Sequence, residues 1–394
     1  MKFIKKSIIS VFSLLFLTFI FSPIFNNSVH ALSNGIGTIN DTYSRTILND
    51  MTYTYTDSNN GDPQKNYTLT YNPKTSGVRA LAMFGEYEFG GDTISTNVAL
   101  AQKRGYTVIA GVNASPFDTS NGVTVGTIIS DGKIISCKNG TSGYDSFAIL
   151  SDGTMFIGTS NLSLYFTTST GKTVTINNIN KQKKTAGNGI YFFSDDFATD
   201  TKTLAESTEV VLSYVSGEMK LGKDLVCKVE NIYSNATRTP IKEGEFVLTG
   251  PSISGLGNIA VGEEVTVSFR SNDTSHDWND VTDSICGFYQ ILKDGAVMSG
   301  IDSDSIVHPR TTIGFKANGE IVLYVVDGRQ PNFSIGLSDR ACAEYMASLG
   351  CVDAIRMDGG GSSAMTVRLP GDTKLTTVNS PSDGGERNDS DCLL

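Results

Sequence analysis

Histidine is scarce in this chain of 394 residues, which contains only three, at positions 30, 276 and 308. Histidine is the commonest metal ligand and the usual base of a catalytic triad, so both kinds of site are disfavoured. The six cysteines are widely scattered, without the close paired spacing of a zinc site or the density of a disulfide scaffold. We therefore predict no cofactor and no metal site, and cysteines that mostly belong to the core.

Basic residues are also in short supply: 31 Lys and Arg stand against 41 Asp and Glu, and the formal net charge is −10. Nucleic-acid binding calls for a broad basic face, and no helix-turn-helix or zinc-finger pattern is present. We therefore exclude nucleic acid as a partner. A small anionic group, bound by a few arginines in one cleft, suits this charge balance.

Long apolar runs are absent except near the start of the chain. Three lysines precede an apolar run over residues 8–25, and Val29-His30-Ala31 follows as a small-x-small cleavage pattern. This pattern predicts a signal peptide over residues 1–31 and a secreted or cell-surface bacterial protein. An uncleaved membrane anchor is the alternative, since the run is about long enough to span a bilayer. Cleavage would change the net charge from −10 to −13 and leave no stable membrane insertion.

Turn dipeptides flanked by apolar runs punctuate the chain at four places. Asp-Gly and Asn-Gly favour the tight turns of β-hairpins, and they occur at Asp131-Gly132, Asp152-Gly153, Asp294-Gly295 and Asn318-Gly319. Helical periodicity is clearest from Ser338 to Leu349 and weaker from Thr96 to Lys103. We predict an α+β fold with a mixed, mostly antiparallel β-sheet core, few helices and a β-rich insertion.

The order of these signals also predicts the domain organisation. Residues 32–76 form an N-terminal extension, in which Asn40 to Asn72 alternate Tyr and Thr around a polar turn at Ser58 to Pro63. That alternation is typical of an edge hairpin. Residues 77–394 form the main domain, and residues 160–269 within it, rich in Thr, Asn, Lys and Val, indicate a β-rich insertion or subdomain.

An acid, three glycines and two serines follow one another from Asp358 to Ser363, directly after a predicted strand from Cys351 to Met357. Glycine permits a turn whose successive backbone N–H groups point at an oxyanion, and the hydroxyls of Ser362 and Ser363 add further donors. The motif therefore predicts anion recognition with Asp358 at its edge. The alternative is a purely structural turn.

A second predicted strand ends in the same way. Glu320 to Val326 is apolar on both faces, which is typical of a central strand, and Asp327-Gly328-Arg329 follows it. If the two strands are neighbours that run in the same direction, Asp327 and Asp358 lie at one sheet edge beside Arg329. This arrangement predicts an acid pair with a cation.

Two further segments bring arginines to the predicted site: His308 to Gly314, which contains Arg310, and Asn379 to Arg387. The planar fork of arginine binds two phosphate oxygens at once and keeps its proton at ordinary pH. Together with Arg329, these arginines predict a phosphate-binding cleft. The alternative for each arginine is a surface ion pair.

These segments, in this order, resemble the phosphodiester glycosidase family. The resemblance covers roughly Gly77 to the end of the chain. Of the six motifs that follow, the last three, in this order, are specific to the family. The motifs that carry it are G-V-N-A-S-P-F-D at Gly111 to Asp118, G-T-I-I-S-D-G-K-I-I-S at Gly126 to Ser136, P-R-T-T-I-G at Pro309 to Gly314, V-V-D-G-R-Q at Val325 to Gln330, M-D-G-G-G-S-S at Met357 to Ser363, and N-S-P-S-D-G-G-E-R at Asn379 to Arg387.

The resemblance implies cleavage of the sugar C–O bond in an α-linked sugar 1-phosphodiester, with N-acetylglucosamine as the sugar in the best-known case, leaving a phosphomonoester. It also implies one carboxylate near the anomeric carbon, as nucleophile, base or electrostatic stabiliser. Asp358 is the first candidate, and Asp327 and Glu386 follow it. The candidate substrate-binding residues lie in the family motifs: Asn113, Arg310, Thr311, Arg329, Gly359, Gly360, Gly361, Ser362, Ser363 and Arg387.

The chain departs from the family pattern at two places. Where relatives commonly have Asn-Gly-Gly-Phe-Phe, this chain has Asn113-Ala-Ser-Pro-Phe117, so the loop is stiffer and we expect a different sugar specificity. Where relatives continue from Glu-Arg through Pro-Val-Ala-Asn-Ala, this chain reads Arg387-Asn-Asp-Ser-Asp-Cys-Leu-Leu394. A short or cut-off final strand would weaken the sheet and the placement of Arg387.

Two other classes of function stay open. A phosphodiesterase or phosphatase would cleave the P–O bond with the same loop, with a metal on Asp327 and Asp358. A non-catalytic protein would bind a sugar-phosphate polymer through the phosphate cradle. For the glycosidase, we expect a polymer-linked sugar phosphate of the cell wall or of an extracellular polysaccharide as the substrate.

Overall fold

The computed structural model describes residues 34–251, 256–301 and 306–394. The predicted signal peptide over residues 1–31 lies outside these ranges. Within them, no helix combines the length and the apolar character needed to cross a membrane. This part of the chain contains three β-sheets and three α-helices, numbered in chain order.

The central sheet has eight strands. In order across the sheet they are β1 (Thr38–Leu48), β2 (Met51–Asn59), β3 (Pro63–Tyr71), β21 (Ile321–Val326), β20 (Arg310–Lys316), β22 (Cys351–Arg356), β18 (Tyr289–Lys293) and β19 (Ala296–Val297). The predicted hairpin around Ser58 to Pro63 is β2 and β3, and β1 extends it to a three-stranded meander. This meander joins the sheet because β3 pairs with β21.

The second sheet has twelve strands and closes on itself, because the last strand in its order also pairs with the second. In order they are β10 (Thr173–Thr175), β9 (Met155–Thr168), β16 (Glu264–Ser271), β14 (Asp224–Ala236), β13 (Ser207–Gly217), β15 (Glu245–Gly250), β12 (Tyr191–Ser194), β11 (Asn178–Ile179), β7 (Lys133–Lys138), β6 (Ile128–Ser130), β17 (Val281–Cys286) and β8 (Gly140–Leu150). The β-rich segment of residues 160–269 therefore shares a sheet with strands outside it.

The third sheet has five short strands: β24 (Thr376–Thr377), β23 (Met365–Val367), β5 (Ala110–Asn113), β25 (Cys392–Leu393) and β4 (Ala82–Met83). The helices are α1 (Pro73–Ser76), α2 (Ile94–Lys103) and α3 (Asp339–Ser348). Among strand pairs of the described residues, only β11 with β12 runs parallel. The predicted α+β fold with few helices and a mostly antiparallel sheet is confirmed.

The local signals of the sequence agree with these elements. Each of the four predicted turn dipeptides connects two paired strands. Both predicted helices form, and a side-chain oxygen caps each N-terminus: Ser338 accepts from the N–H of Ala341, and Thr93 accepts from the N–H of Thr96. The six cysteines are buried and form no disulfide in the described residues.

Strand β21 is the centre of the fold because both of its faces are covered. Leu323 and Val325 face an apolar cluster that includes residues of β5 and β23, whereas Val322 and Tyr324 pack with Met346 of α3 on the opposite face. This two-sided burial explains the continuous apolar run of the strand. It also holds the end of the strand, where the site begins, between two layers.

Strand β20 fixes the geometry of the site edge. It is antiparallel to both β21 and β22, so these two strands run in the same direction and end at the same edge of the sheet. The predicted common edge for Asp327 and Asp358 is confirmed. The two strands are not direct neighbours, because β20 lies between them and starts at this edge with Arg310.

The apolar filling of the closed sheet supports a stability test with two leucines. Leu248 is fully buried in that cluster, whereas Leu204 is 63% exposed. We expect Leu248→Ala to lower the free energy of unfolding by about 2–5 kcal/mol, because it removes buried methyl groups and leaves a cavity. Leu204→Ala should stay within about 0.5 kcal/mol of the parent. Denaturant unfolding measures both, and equal losses would contradict the described packing.

Candidate active site

The candidate site lies where β21 and β22 end. Asp327 follows β21 directly, Asp358 follows β22 after Met357, and the backbone N–H of Asp358 donates to the carbonyl of Ala114 at 2.8 Å. The loop after β5, the turn after β22 and the C-terminal segment thus meet at one place. The chain segments that the sequence analysis grouped together are adjacent in the fold.

The glycine motif folds into a short 3-10 turn over Gly360–Ser362. Its backbone N–H groups are largely used inside the protein: Gly360 donates to Pro309 at 2.9 Å, and Ser363 donates to Gly360 at 3.3 Å. Ser362 donates to the carbonyl of Gly359 at 3.4 Å. The prediction that successive N–H groups of this turn point at an oxyanion is therefore wrong for these three donors. Anion binding must rest mainly on side chains.

The glycines instead allow two guanidinium groups to lie against the backbone. A β-carbon on Gly360 would lie 2.9 Å from an Nη atom of Arg329, and one on Gly361 would overlap the end groups of Arg387 and Asp383. A larger residue at either position would displace these side chains. The turn is rich in glycine because arginines pack on it from two sides.

The two arginines differ in their partners. Arg387 forms an ion pair with the half-exposed carboxylate of Asp383, and its Nη1 donates to the hydroxyl of Ser362 at 3.3 Å. Arg329 is exposed and has no acidic partner among the described residues; its Nε donates to Nδ1 of His308 at 3.5 Å. Within the described residues, an incoming anion therefore meets one guanidinium without an acidic partner and one that is weakly paired.

Asp358 is a partly buried carboxyl beside this turn. Burial raises its pKa, while hydrogen bonds from Ser362 and from the N–H of Gly359, together with the charges of Arg387 and Arg356, limit the increase. Both arginines favour the ionised form. The sequence predicted Asp358 at the edge of the turn, and the structure places it there.

Asn113 and Thr311 are fully buried and serve as ties between elements. The Nδ2 of Asn113 donates to the carbonyl of Asp358 at 3.0 Å, and its Oδ1 accepts from the hydroxyl of Thr311 at 2.6 Å and from the N–H of Ala364 at 3.1 Å. This amide holds β5, β20 and both ends of the glycine motif together. Both side chains thus act on the position of Asp358, and neither presents a free polar group to solvent.

Asp327 is buried in a shell of donors. Its oxygens accept from the Tyr67 hydroxyl at 2.9 Å, from Nδ2 of Asn379 at 2.8 Å and from the N–H of Ser380 at 3.0 Å. Burial raises its pKa, and these hydrogen bonds counteract the increase. Because Asn379 also donates to the carbonyl of Ser363 at 3.0 Å, Asp327 anchors the C-terminal loop over the turn.

Glu386 lies away from the guanidinium groups. Its Oε1 accepts from the hydroxyls of Thr366 at 3.0 Å and Thr377 at 2.7 Å, and its Oε2 accepts from the N–H of Ser95 at the start of α2 at 2.8 Å. Although burial opposes ionisation, these hydrogen bonds lower the pKa of Glu386. The residue links β23 and β24 to the helix and leaves Arg387, its neighbour in sequence, facing the turn.

Arg310 is buried and is held by an acid that the sequence analysis did not single out. Its Nε lies 3.0 Å from Oδ1 of Asp339, and Nε of Arg356 lies 3.0 Å from the same oxygen. The hydroxyl of Tyr289 donates to the other oxygen of Asp339. Asp339 is the first residue of α3, where an acid also suits the helix N-terminus. One buried carboxylate therefore fixes two arginines beside the site.

His308 and Arg356 complete the basic side of the site. Burial and the charges of Arg310, Arg329 and Arg356 lower the pKa of His308, so the imidazole is neutral at ordinary pH. Arg356 stacks on the ring of Phe288, with its guanidinium carbon 4.2 Å from the ring centroid. Arg356 precedes Asp358 by two positions. Because residues two apart in a strand lie on the same face, this spacing was the signal that could have identified Arg356 from the sequence.

A further acid, Asp389, was also missed. It is 3% exposed, and its Oδ1 has no hydrogen-bond partner among the described residues. Burial and the charge of Asp358 raise its pKa well above the ordinary value, while Ser362 and Arg387 lower it. The charge of Asp391 raises the pKa of Asp389 further. Asp92 is joined to Asp389 by two backbone hydrogen bonds of 2.9 and 3.1 Å. Burial and the charge of Asp358 therefore both disfavour ionisation of Asp389.

No group of three or more His, Cys, Asp and Glu side chains among the described residues is arranged to hold a metal ion.

Residues 224–394 match the family described as phosphodiester glycosidase. The resemblance inferred from the motifs is confirmed over that range. The motifs at Gly111 to Asp118 and Gly126 to Ser136 precede it.

Individual relatives extend the comparison. The SPbeta prophage-derived uncharacterized protein YomE of Bacillus subtilis (strain 168) is 36% identical over 83 residues, which are 21% of this chain and 12% of that protein. A hypothetical protein from Synechocystis has a similar structure, with a TM-score of 0.68, 19% identity, and 87% of this chain and 61% of that chain covered. A protein of Burkholderia pseudomallei K96243, thought to be exported, has a TM-score of 0.63, 18% identity, and coverage of 84% and 74%.

These structural similarities concern the fold. The chain spans about three-fifths of the Synechocystis structure and a small part of YomE.

The proximity of the two acids can be tested without an activity assay. We expect Asp358→Asn to lower the apparent pKa of Asp389, because it removes a like charge that disfavours the ionised form. Carbon-13 NMR of labelled aspartate carboxyls, titrated in the parent and in the variant, measures this shift. Asp372→Asn, an exposed change in another loop, is the control and should leave the titration unchanged. An unchanged titration in Asp358→Asn would show that the acids do not interact.

Proposed function

We propose that this protein hydrolyses the sugar C–O bond of an α-linked (N-acetyl)hexosamine 1-phosphodiester and releases the sugar and a phosphomonoester. The observation that carries the proposal is the convergence of two guanidinium groups and one carboxyl on a single turn. Arg329 and Arg387 lie against Gly360 and Gly361, and Asp358 precedes them at the end of β22. Such a site can hold a phosphate and place a carboxylate beside the atom bonded to it.

The chemistry of the leaving group fits these residues. A departing phosphomonoester is a weak base, so its protonation helps the reaction less than in an ordinary glycoside. The protein must instead stabilise the phosphate charge and the positive charge that develops on the sugar. Arginine stabilises the phosphate charge, and a carboxylate stabilises the positive charge on the sugar.

In this proposal Arg329 and Arg387 bind the phosphate oxygens directly. Arg329 has no acidic partner in the described part of the chain, and the partner of Arg387, Asp383, is half exposed and can be displaced. Arg310 and Arg356 are fixed by Asp339 and add positive potential from behind. The phosphate thus contacts Arg329 and Arg387, which are free to change partners. Arg310 and Arg356, which Asp339 holds in place, lie behind them.

Asp358 is the carboxylate we assign to the anomeric carbon. The neighbouring arginines favour its ionised form, and the tie from Asn113 to its backbone fixes its position. Water adds its oxygen to the anomeric carbon, and the bridging oxygen leaves with the phosphate. Asp327 and Glu386 support this arrangement by positioning the loop that carries Arg387, since their oxygens accept hydrogen bonds from several donors of that region.

The proposed setting is a secreted or cell-surface bacterial protein that acts on sugar phosphates in the wall or in an extracellular polysaccharide. The leader-like pattern of residues 1–31 and the acidic composition of the remainder support this setting. Neither a cofactor nor a nucleic-acid partner enters the proposal.

The decisive test is hydrolysis of an α-N-acetylglucosamine 1-phosphodiester in oxygen-18 water. We expect the label in the released sugar, because water attacks carbon. Asp358→Asn should reduce turnover by about 10²- to 10⁴-fold, as for loss of a group that acts on the reacting centre. Label in the phosphate would indicate a phosphodiesterase and overturn the assignment. Absence of turnover on several sugar phosphodiesters would favour a binding protein.

The glycine turn allows a second test of the phosphate site. We expect Gly361→Ala to reduce kcat/KM by about 100-fold, because the added methyl group displaces Arg387 and Asp383, and small misplacements at a reacting site are costly. The fold should persist, since only the ends of flexible side chains must move. Gly143→Ala is the matched control, because no atom lies near its β-carbon position and its φ is not positive. Equal kinetics for both variants would contradict this role.

A further inference from the structure

Strand β1 forms an open edge of the central sheet. In the described residues it pairs only with β2, and ten of its eleven residues are exposed. The strand contains neither lysine nor proline, two residues that commonly prevent another strand from adding to an edge. The outer row of backbone N–H and C=O groups of β1 therefore has no strand partner within the described chain and is available to one.

Two irregular positions limit the regular part of this edge. The register of β1 with β2 shifts at Asn40 and again at Ile47, whereas Asp41 to Thr46 pair with β2 without interruption. A bulge bends its strand and disrupts the pairing around it. A strand that adds to this edge is therefore confined to the six residues between the two shifts.

Two opposite charges lie within this regular part. Asp41, Tyr43 and Arg45 alternate along the strand and therefore share one face of the sheet. The guanidinium carbon of Arg45 lies 5.1 Å from the centroid of the Tyr43 ring, and its Nη1 donates to the carbonyl of Ser44 at 3.1 Å. Neither Asp41 nor Arg45 forms an ion pair in the described part of the chain. Both charges are thus open to a partner outside the molecule.

We propose that β1 pairs with β1 of a second copy of this chain, in antiparallel orientation about a two-fold axis at Tyr43. In this register Asp41 of each copy lies opposite Arg45 of the other, and the two Tyr43 residues lie opposite each other. Opposite charges and aromatic rings that face each other across an antiparallel pair stabilise that pair. The dimer is isologous, because both copies contribute the same strand.

The positions of the two charges select this partner and this register. Charges on an edge strand usually protect it from association. Here the charges have opposite signs and are equally far from Tyr43, so a second copy in antiparallel orientation is attracted. Moving the axis by one residue in either direction would place Tyr43 of one copy opposite Asp41 or Arg45 of the other and separate the charge pairs.

The pairing keeps the two candidate active sites apart. Strands β2 and β3 lie between β1 and β21, so β21 is three strands, or about 14 Å, from β1 in the sheet. The two-fold axis reverses the strand direction of the second copy. Two eight-stranded sheets therefore join into one, and the two candidate sites lie at opposite edges of it.

Sedimentation velocity of the full chain over a range of concentrations tests the dimer. We expect a Kd of about 1–100 μM, because a pairing of a few residues is at the low end of specific interfaces. Arg45→Asp should raise Kd by about 10- to 100-fold, since it sets like charges against each other at two symmetric places. Adding Asp41→Arg to this variant should restore the Kd of the parent. Lys172→Asp, an exposed change of the same net charge elsewhere, is the control and should leave Kd unchanged.

Cysteine substitution tests the register. The six native cysteines are buried, so an added exposed cysteine is the thiol that reacts. Under mild oxidation Tyr43→Cys should form a disulfide between two copies, because residue 43 faces its own copy across the axis. Thr46→Cys is the control on the same strand, since its two copies lie six residues, or about 20 Å, apart.

Three results would overturn the inference. The first is a parent chain that stays monomeric at about 500 μM, well above the expected Kd. The second is a double variant that associates no better than Arg45→Asp alone, and the third is equal cross-linking of Tyr43→Cys and Thr46→Cys. Because none of these measurements uses turnover, they are independent of the proposed function.

Discussion

The site depends on close contact between two arginine side chains and the backbone of Gly360 and Gly361. Without side chains at these positions, the guanidinium groups can approach the turn from two sides. Three N–H groups of the turn, those of Gly360, Ser362 and Ser363, bond within the protein, so the turn is a rigid support. The charge for binding an anion comes from Arg329 and Arg387, and the shape comes from the glycines.

Burial of acids is the second constraint, because an ionised carboxylate is costly inside a protein unless donors compensate it. Asp327 satisfies this condition with donors from Tyr67, Asn379 and Ser380. Asp358 relies on Ser362 and on nearby arginines, and Asp389 keeps one oxygen without a hydrogen bond. These three environments separate the acids by role. Asp327 is structural, Asp358 is suited to carry charge near a substrate, and the surroundings of Asp389 disfavour its ionised form.

Local patterns in the sequence were sufficient for much of the fold and part of the site. The apolar run of β21 and the turn dipeptides each depend on nearby residues, and both predictions agree with the structure. The phosphate-binding role of the arginine-bearing loops stays a prediction. The insertion of β20 between β21 and β22 depends on long-range pairing, which periodicity does not encode. The Arg310–Asp339–Arg356 cluster joins two strands and a helix, and Asp389 lies in the segment that departs from the family motif, so spacing alone could not reveal either.

The division between fixed and adjustable arginines explains how an acidic protein can bind an anion at this edge. Arg310 and Arg356 share a buried acid, and removing either from Asp339 would leave an unpaired buried charge, so they remain in place. The Arg387–Asp383 pair is largely solvated and weak, so a phosphate can replace Asp383 at low cost. Arg329 has no acidic partner among the described residues, so a phosphate that binds it displaces no carboxylate there. Binding therefore proceeds by exchange at the surface, while the buried cluster supplies a positive potential that the net negative charge of the chain does not cancel locally.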